Sequence, residues 1–224
     1  DLIQNENTAL LQSKGIKFFK GHSPANLPSG PQKAIVVRTS AVQDSNEEYA
    51  AAVAAGHLCL RRGELLAKLC KTYTRPVAIS GSHGKTSVTA MVVHILKKLG
   101  ANPGFVIGGK INGWTTPAAT GDGDIIVVEA DESDGSLTFI QPHLGVITNM
   151  DDDHEWAVGG EENLYENFRK FAFNSHIFMW ITDPSKESLI EGHNRIRAII
   201  PKRKEFSPFK HMNEWGEYQR DNAF

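Results

Sequence analysis

Short apolar runs alternate with amphipathic stretches along this chain, and the alternation sets the expected architecture. Residues 2–13 read as a short helix that breaks at Gly15, and Lys17–Phe19 as a strand. Ala34-Ile35-Val36-Val37 is short, continuous and β-branched, the pattern of a buried strand. Asn46 is placed to cap an alanine-rich helix that runs through Ala55 and ends at Gly56. His57–Leu60 predicts a short strand, Glu64–Lys71 a helix, and Pro76–Ser80 a further buried strand. A glycine turn then leads into a helix over Lys85–Leu99, closed by Gly100. After a Gly/Thr/Pro-rich stretch over 100–124 comes the strongest strand, Ile125–Val128, and then Val146–Thr148. Glu161–Phe173 places Leu164, Phe168 and Phe171 on one helical face, and 177–181 is again strand-like. Residues 201–215 are basic, aromatic and irregular and predict no element. Strands alternating with helices imply an α/β layered fold with a mostly parallel sheet.

Composition narrows the partners. The 224 residues are 40% hydrophobic and 22% charged, enough for a substantial core and too apolar for wholesale disorder. Lys and Arg number 24 against 26 Asp and Glu, a net charge of −2, so no basic surface argues for nucleic acid or an anionic membrane. No apolar run approaches the roughly 20 residues of a membrane-spanning helix. Cys59 and Cys70 are the only cysteines, which excludes a disulfide scaffold and fits a reducing compartment, the cytoplasm by default. The chain begins at Asp1 with no signal peptide, and residues are expected to be missing ahead of it.

Three polar clusters each follow a predicted strand. The first, Gly81-Ser82-His83-Gly84-Lys85-Thr86-Ser87, opens a helix, the setting in which a glycine loop cradles phosphates. Lys85 adds a point charge, and the Thr86 hydroxyl is placed as a Mg²⁺ ligand. The full GxxxxGK[ST] pattern is not met, because position 79 is Ile79. The second cluster, Glu129-Ala130-Asp131-Glu132-Ser133-Asp134, offers carboxylates at a strand end, where open α/β sheets bind ligands and where Mg²⁺ finds oxygen donors. A solvated acidic turn fits its spacing equally well. In the third, Asn149-Met150-Asp151-Asp152-Asp153-His154, the histidine is a metal ligand, a base or a loop residue. A zinc-protease HExxH is excluded, since position 158 is Val158.

GSHGKTS, VVEADESD and TNMDDDH, in that order and spacing, resemble the Mur ligases of peptidoglycan synthesis. VVRTSAVQDSN and LRRGELLAKL are similar to that family's N-terminal segments. Together with EADESD they point to the branch that adds L-alanine or a tripeptide to UDP-N-acetylmuramate. The similarity runs from residue 1 to about 200 and resumes weakly at Gly216–Ala223, where Asn222 matches an adenine-side motif and Gln219 replaces its first Asn. Trp156 stands where the family usually carries an acidic residue.

The resemblance implies a three-domain enzyme, of which this chain would hold two parts. Residues 1–72 would be an incomplete Rossmann-like domain for the UDP-sugar, and 73–224 a P-loop-type, three-layer α/β ATPase domain. The amino-acid domain would be absent, so the isolated chain is expected to lack turnover. The resemblance also assigns roles. Ser82, Gly84, Lys85, Thr86, Ser87 and Asn222 would contact ATP, and Thr86, Glu129 and His154 would bind Mg²⁺. Lys85, Glu129 and His154 would be catalytic, and Ser40, His83, Asp131 and Ser133 would lie toward the sugar-nucleotide substrate. ATP and Mg²⁺ are the implied cofactors, with UDP-N-acetylmuramate and L-alanine as substrates.

Overall fold

A computed structural model describes residues 4–151, 159–180 and 196–198. The chain divides into two compact units, Asp1–Leu65 and Leu66–Phe224. The first holds helix α1 (Glu6–Ser13), strand β1 (Ile35–Arg38), helix α2 (Glu47–Ala54) and strand β2 (Leu58–Arg61). Asn5 caps α1 by accepting from Thr8 N at 3.0 Å, and Asn46 caps α2 by accepting from Tyr49 N at 3.1 Å. Strands β1 and β2 pair in parallel from Ile35 opposite Leu58 to Arg38 opposite Arg61, with α2 as the crossover.

Two expectations fail in this unit. Lys17–Phe19 forms no strand; Ile16 and Phe19 are about half exposed, and no described strand pairs with them. The strand at 35–38 exists but is not buried, with Ile35 61% exposed. Its β-branched residues follow strand propensity, which registers a pleated surface whether or not a second layer covers it.

Helix α3 (Arg62–Cys70) crosses the division, because Ala67 and Cys70 on its second half pack into the core of the second unit. There follow β3 (Arg75–Ser80), α4 (Lys85–Lys98), β4 (Gly104–Val106), β5 (Ala118–Ala119), β6 (Ile125–Glu129), β7 (Leu144–Ile147), α5 (Glu161–Asn174), β8 (Ile177–Trp180) and β9 (Ile196–Ala198). Among the described residues these strands form one sheet in the order β5-β4-β6-β3-β7-β8-β9, parallel except for the β4–β5 pair. β4 and β5 lie inside the Gly/Thr/Pro-rich stretch over 100–124, where the sequence predicts no element. They are too short for a periodic signal, and buried Phe105 holds β4 in the core.

Strand periodicity explains the layers. Ala78, Ile126, Val128 and Ile147 point to one face, where Leu164, Phe168 and Phe171 of α5 cover them. Their neighbours Ile79, Val127 and Val146 point to the other, where Val88 and Val93 of α4 pack. The result is a three-layer α/β unit with its central strands buried on both sides, and the loops after the C-terminal ends of β3, β6 and β7 converge at one end.

Both cysteines are free. Burial pushes the Cys70 thiol up to about 12. The folded state therefore holds its proton more tightly, and this contribution is present below the ordinary thiol range and lost as pH rises toward 12. Iodoacetamide at pH 8 is expected to alkylate the part-exposed Cys59 and to spare Cys70 until denaturant is added. Mass spectrometry of the peptides checks this, and equal labelling of both under native conditions would contradict it.

Candidate functional site

The first polar cluster turns the chain from β3 into α4. Gly81 has φ +130° and Gly84 φ +80°, regions that L side chains avoid. At Gly81 a Cβ would stand 2.1 Å from Thr148 Oγ1 and 2.9 Å from Asn149 O, so only glycine lets the loop lie against the segment after β7. Gly84 is the N-cap of α4 and supplies no side-chain cap, which leaves the positive end of a 14-residue helix facing the loop.

The segment after β7 is the scaffold of that loop. Ser82 N donates to Asn149 O at 3.1 Å, and His83 N donates to Asn149 Oδ1 at 2.7 Å. His83 O accepts from Thr148 Oγ1 at 2.7 Å and from Asn149 Nδ2 at 3.0 Å. Ser82 Oγ donates to Asp151 O at 2.8 Å and accepts from Asp151 N at 2.9 Å. Ser82, expected at ATP, thus has its N–H and hydroxyl engaged in holding the loop. Nothing in the sequence distinguishes Thr148 and Asn149 for this work, which their side chains do through a contact 65 residues away along the chain.

Lys85 reaches back across the loop. Its Nζ donates to Gly81 O at 2.6 Å and Ser82 O at 3.3 Å, and lies 2.9 Å from Glu132 Oε1 and 2.7 Å from Oε2. Glu132 is fully buried, a partner that the sequence did not single out. One residue on, Thr86 Oγ1 lies 3.0 Å from each oxygen of Glu129, so the first and second clusters meet here as expected. Gly108 N donates to Glu129 Oε2 at 2.7 Å, an approach that a Cβ on Gly108 would obstruct at 2.9 Å from Oε1.

The remaining expected residues divide. Asp131 Oδ1 accepts from Ser133 N at 3.0 Å and Ser133 Oγ at 2.8 Å, which closes the turn after β6. His83 Nε2 is 3.9 Å from Asp151 Oδ2, an ion pair when the imidazole is protonated. Ser87 is half-buried on the first turn of α4. Ser40 is exposed in a turn after β1 and belongs to the first unit. His154 and Asn222 lie outside the described residues.

A hydroxyl and a carboxylate converging at 3.0 Å form an all-oxygen donor pair, which fits Mg²⁺. Among the described residues no group of three His, Cys, Asp or Glu could hold a metal. At the opposite, N-terminal end of β3 and β6 lies a cavity of about 330 Å³ lined by Arg75, Asn102, Asp122 and Asp124. Within it Arg75 pairs with Asp124 at 3.3 Å.

Comparison with known proteins bears on the family and the fold. Residues 79–202 match the Mur ligase middle domain, and residues 1–74 match the Mur ligase family catalytic domain. The UDP-N-acetylmuramate–L-alanine ligase of Aquifex aeolicus is 38% identical over 201 residues, covering 88% of this chain and 43% of that protein. That of Chelativorans sp. is 39% identical over 203 residues, covering 89% and 43%. Among solved structures, UDP-N-acetylmuramate-alanine ligase from Thermotoga maritima aligns with a TM-score of 0.76 at 26% identity, over 90% of this chain and 46% of that one. A UDP-N-acetylmuramate:L-alanyl-γ-D-glutamyl-meso-diaminopimelate ligase from Neisseria meningitides shares the fold, with a TM-score of 0.77 at 18% identity over 88% and 67%. The chain spans less than half the length of the curated relatives it matches. The loop bearing Lys85 and Thr86 falls within the middle-domain match, and this chain belongs to the Mur ligase family.

Proposed function

We propose that this chain supplies the nucleotide-phosphate site of a ligase that joins L-alanine to the lactyl carboxylate of UDP-N-acetylmuramate. The observation that carries the reading is the meeting of Thr86 and Glu129 at 3.0 Å beside Lys85, on a loop shaped by Gly81 and Gly84. Residues 73–224 would bind ATP, and residues 1–72 would belong to the sugar-nucleotide domain. The curated relatives named for this reaction support the choice of substrates. Two free cysteines fit a cytoplasmic enzyme, and among the described residues no helix is long and apolar enough to cross a membrane.

The chemistry asks for positioning and charge neutralisation rather than a protein nucleophile. The substrate carboxylate attacks the γ-phosphorus of ATP and ADP leaves. The acyl phosphate so formed accepts the amine of L-alanine, and phosphate departs from the tetrahedral adduct. Lys85 holds the β- and γ-phosphates and offsets the charge that shifts onto them. The N-terminal end of α4 adds its dipole to the same end of the sheet. Thr86 and Glu129 would hold Mg²⁺, which when bound neutralises phosphate charge. By the resemblance, His154 would hold a second Mg²⁺, and His83, Asp131 and Ser133 would lie toward the sugar nucleotide.

The test is phosphate release by the full-length protein that carries this chain, given ATP, Mg²⁺ and UDP-N-acetylmuramate. Release is expected on addition of L-alanine. Release with the tripeptide L-Ala-γ-D-Glu-meso-diaminopimelate instead would move the protein to the tripeptide-adding branch. ATP binding without amide product from either would reduce it to a nucleotide-binding module.

A further inference from the structure

At the phosphate loop the mechanism leaves the buried carboxylate of Glu132 without a task. Glu132 is fully buried, yet it follows Glu129 by only three residues and faces the loop lysine. Burying a carboxylate is costly unless a cation and hydrogen bonds compensate it. Here Lys85 Nζ lies within 2.9 Å of both of its oxygens.

The donors of Lys85 can be counted. An ammonium has three N–H groups. Gly81 O takes one at 2.6 Å, the Glu132 carboxylate takes another, and Ser82 O takes the third at 3.3 Å. As the loop is arranged, each N–H is engaged by a protein acceptor, and a phosphate must displace at least one of them. The long contact to Ser82 O is the cheapest to give up, and the charge-assisted contact to Glu132 is the strongest competitor.

We propose that Glu132 is a positioning residue for Lys85: it holds the ammonium inside the loop and competes with the terminal phosphates of the nucleotide for it. This rests on the reading of Gly81–Ser87 as the nucleotide phosphate loop. The affinity for the phosphate tail is then set by the difference between the Lys85–phosphate and Lys85–Glu132 interactions. A carboxylate that served only the fold would behave otherwise, since its loss would loosen the loop and weaken binding.

The test is calorimetric titration of ATP–Mg²⁺ into the 224-residue chain and its variants, with circular dichroism to confirm folding. Glu132→Gln is expected to bind ATP about 10-fold more tightly, the scale of one charge-assisted hydrogen bond released to the ligand. It should also melt at a lower temperature without nucleotide, and regain more on adding ATP than the parent chain does. Asp134→Asn removes a neighbouring, part-exposed charge while keeping the side-chain cap on Ser136 N, and its ATP affinity should change by less than about 2-fold, because that charge is partly screened by solvent. Should Glu132→Gln fail to fold, Glu132→Asp, with a shorter reach to Nζ, is expected to fold and to bind ATP more tightly than the parent. Equal or weaker ATP binding by the folded Glu132 variant overturns the proposal, as does equal tightening by Asp134→Asn. Absence of ATP binding in every chain overturns instead the phosphate-loop reading beneath it.

Discussion

Replacing Lys85 with alanine is expected to lower turnover of the full-length enzyme by at least ~100-fold, the loss seen when one preorganised charge-stabilising donor is removed. Two consequences combine in this substitution. The phosphates lose the cation that meets them, and Glu132 loses the ammonium 2.7 Å from its Oε2. A fully buried carboxylate without its cation costs about 3–5 kcal/mol, so the variant should also be less stable to urea. Pairing Lys85→Met with Glu132→Gln removes both charges and is expected to recover much of that stability but none of the turnover. Stability is followed by urea denaturation and turnover by phosphate release. Near-normal turnover in the alanine variant would remove Lys85 from the mechanism.

Gly81→Ala is the second large effect. Its Cβ would arrive 2.1 Å from Thr148 Oγ1 and 2.9 Å from the carbonyl of Asn149, at φ +130°. Neither neighbour can yield freely. Thr148 Oγ1 is committed to His83 O, and the Asn149 backbone holds Ser82 N. The loop must therefore separate from the segment after β7, at a cost of more than about 3 kcal/mol. Gly135→Ala is the control. That glycine has φ +69° but open space around its missing Cβ, so its cost should stay near the 1–2 kcal/mol of left-handed backbone strain. Urea denaturation of both variants measures the difference, and equal destabilisation would contradict the packing account.

Much of the second unit was legible because its signals are local. A β-branched run before a glycine turn and GK[ST] specifies strand, loop and helix without long-range information. Leu164, Phe168 and Phe171 likewise recur at helical spacing and are all fully buried. The meeting of Thr86 and Glu129 was also foreseeable, because adjacent parallel strands bring their C-terminal ends together. Glu132 was not. In sequence it is one carboxylate among four in Glu129–Asp134, and only the fold separates the buried one from those that close the turn. Thr148 and Asn149 stood in the TNMDDDH motif, but their work in holding the loop was not legible, since their partners are set by the register between β3 and β7. The strand expected at Lys17–Phe19 failed because a run of three residues gives no period to read.

The central claim is that Gly81–Ser87 receives the phosphates of ATP, and amide chemical shifts test it most directly. In ¹H–¹⁵N spectra of the chain, ATP–Mg²⁺ is predicted to move the resonances of Gly84, Lys85, Thr86, Ser87 and Gly108. Those of Asn102, Asp122 and Gly123, around the cavity at the other end of the strands, should stay in place. Movement at that cavity with none in the loop would contradict the account.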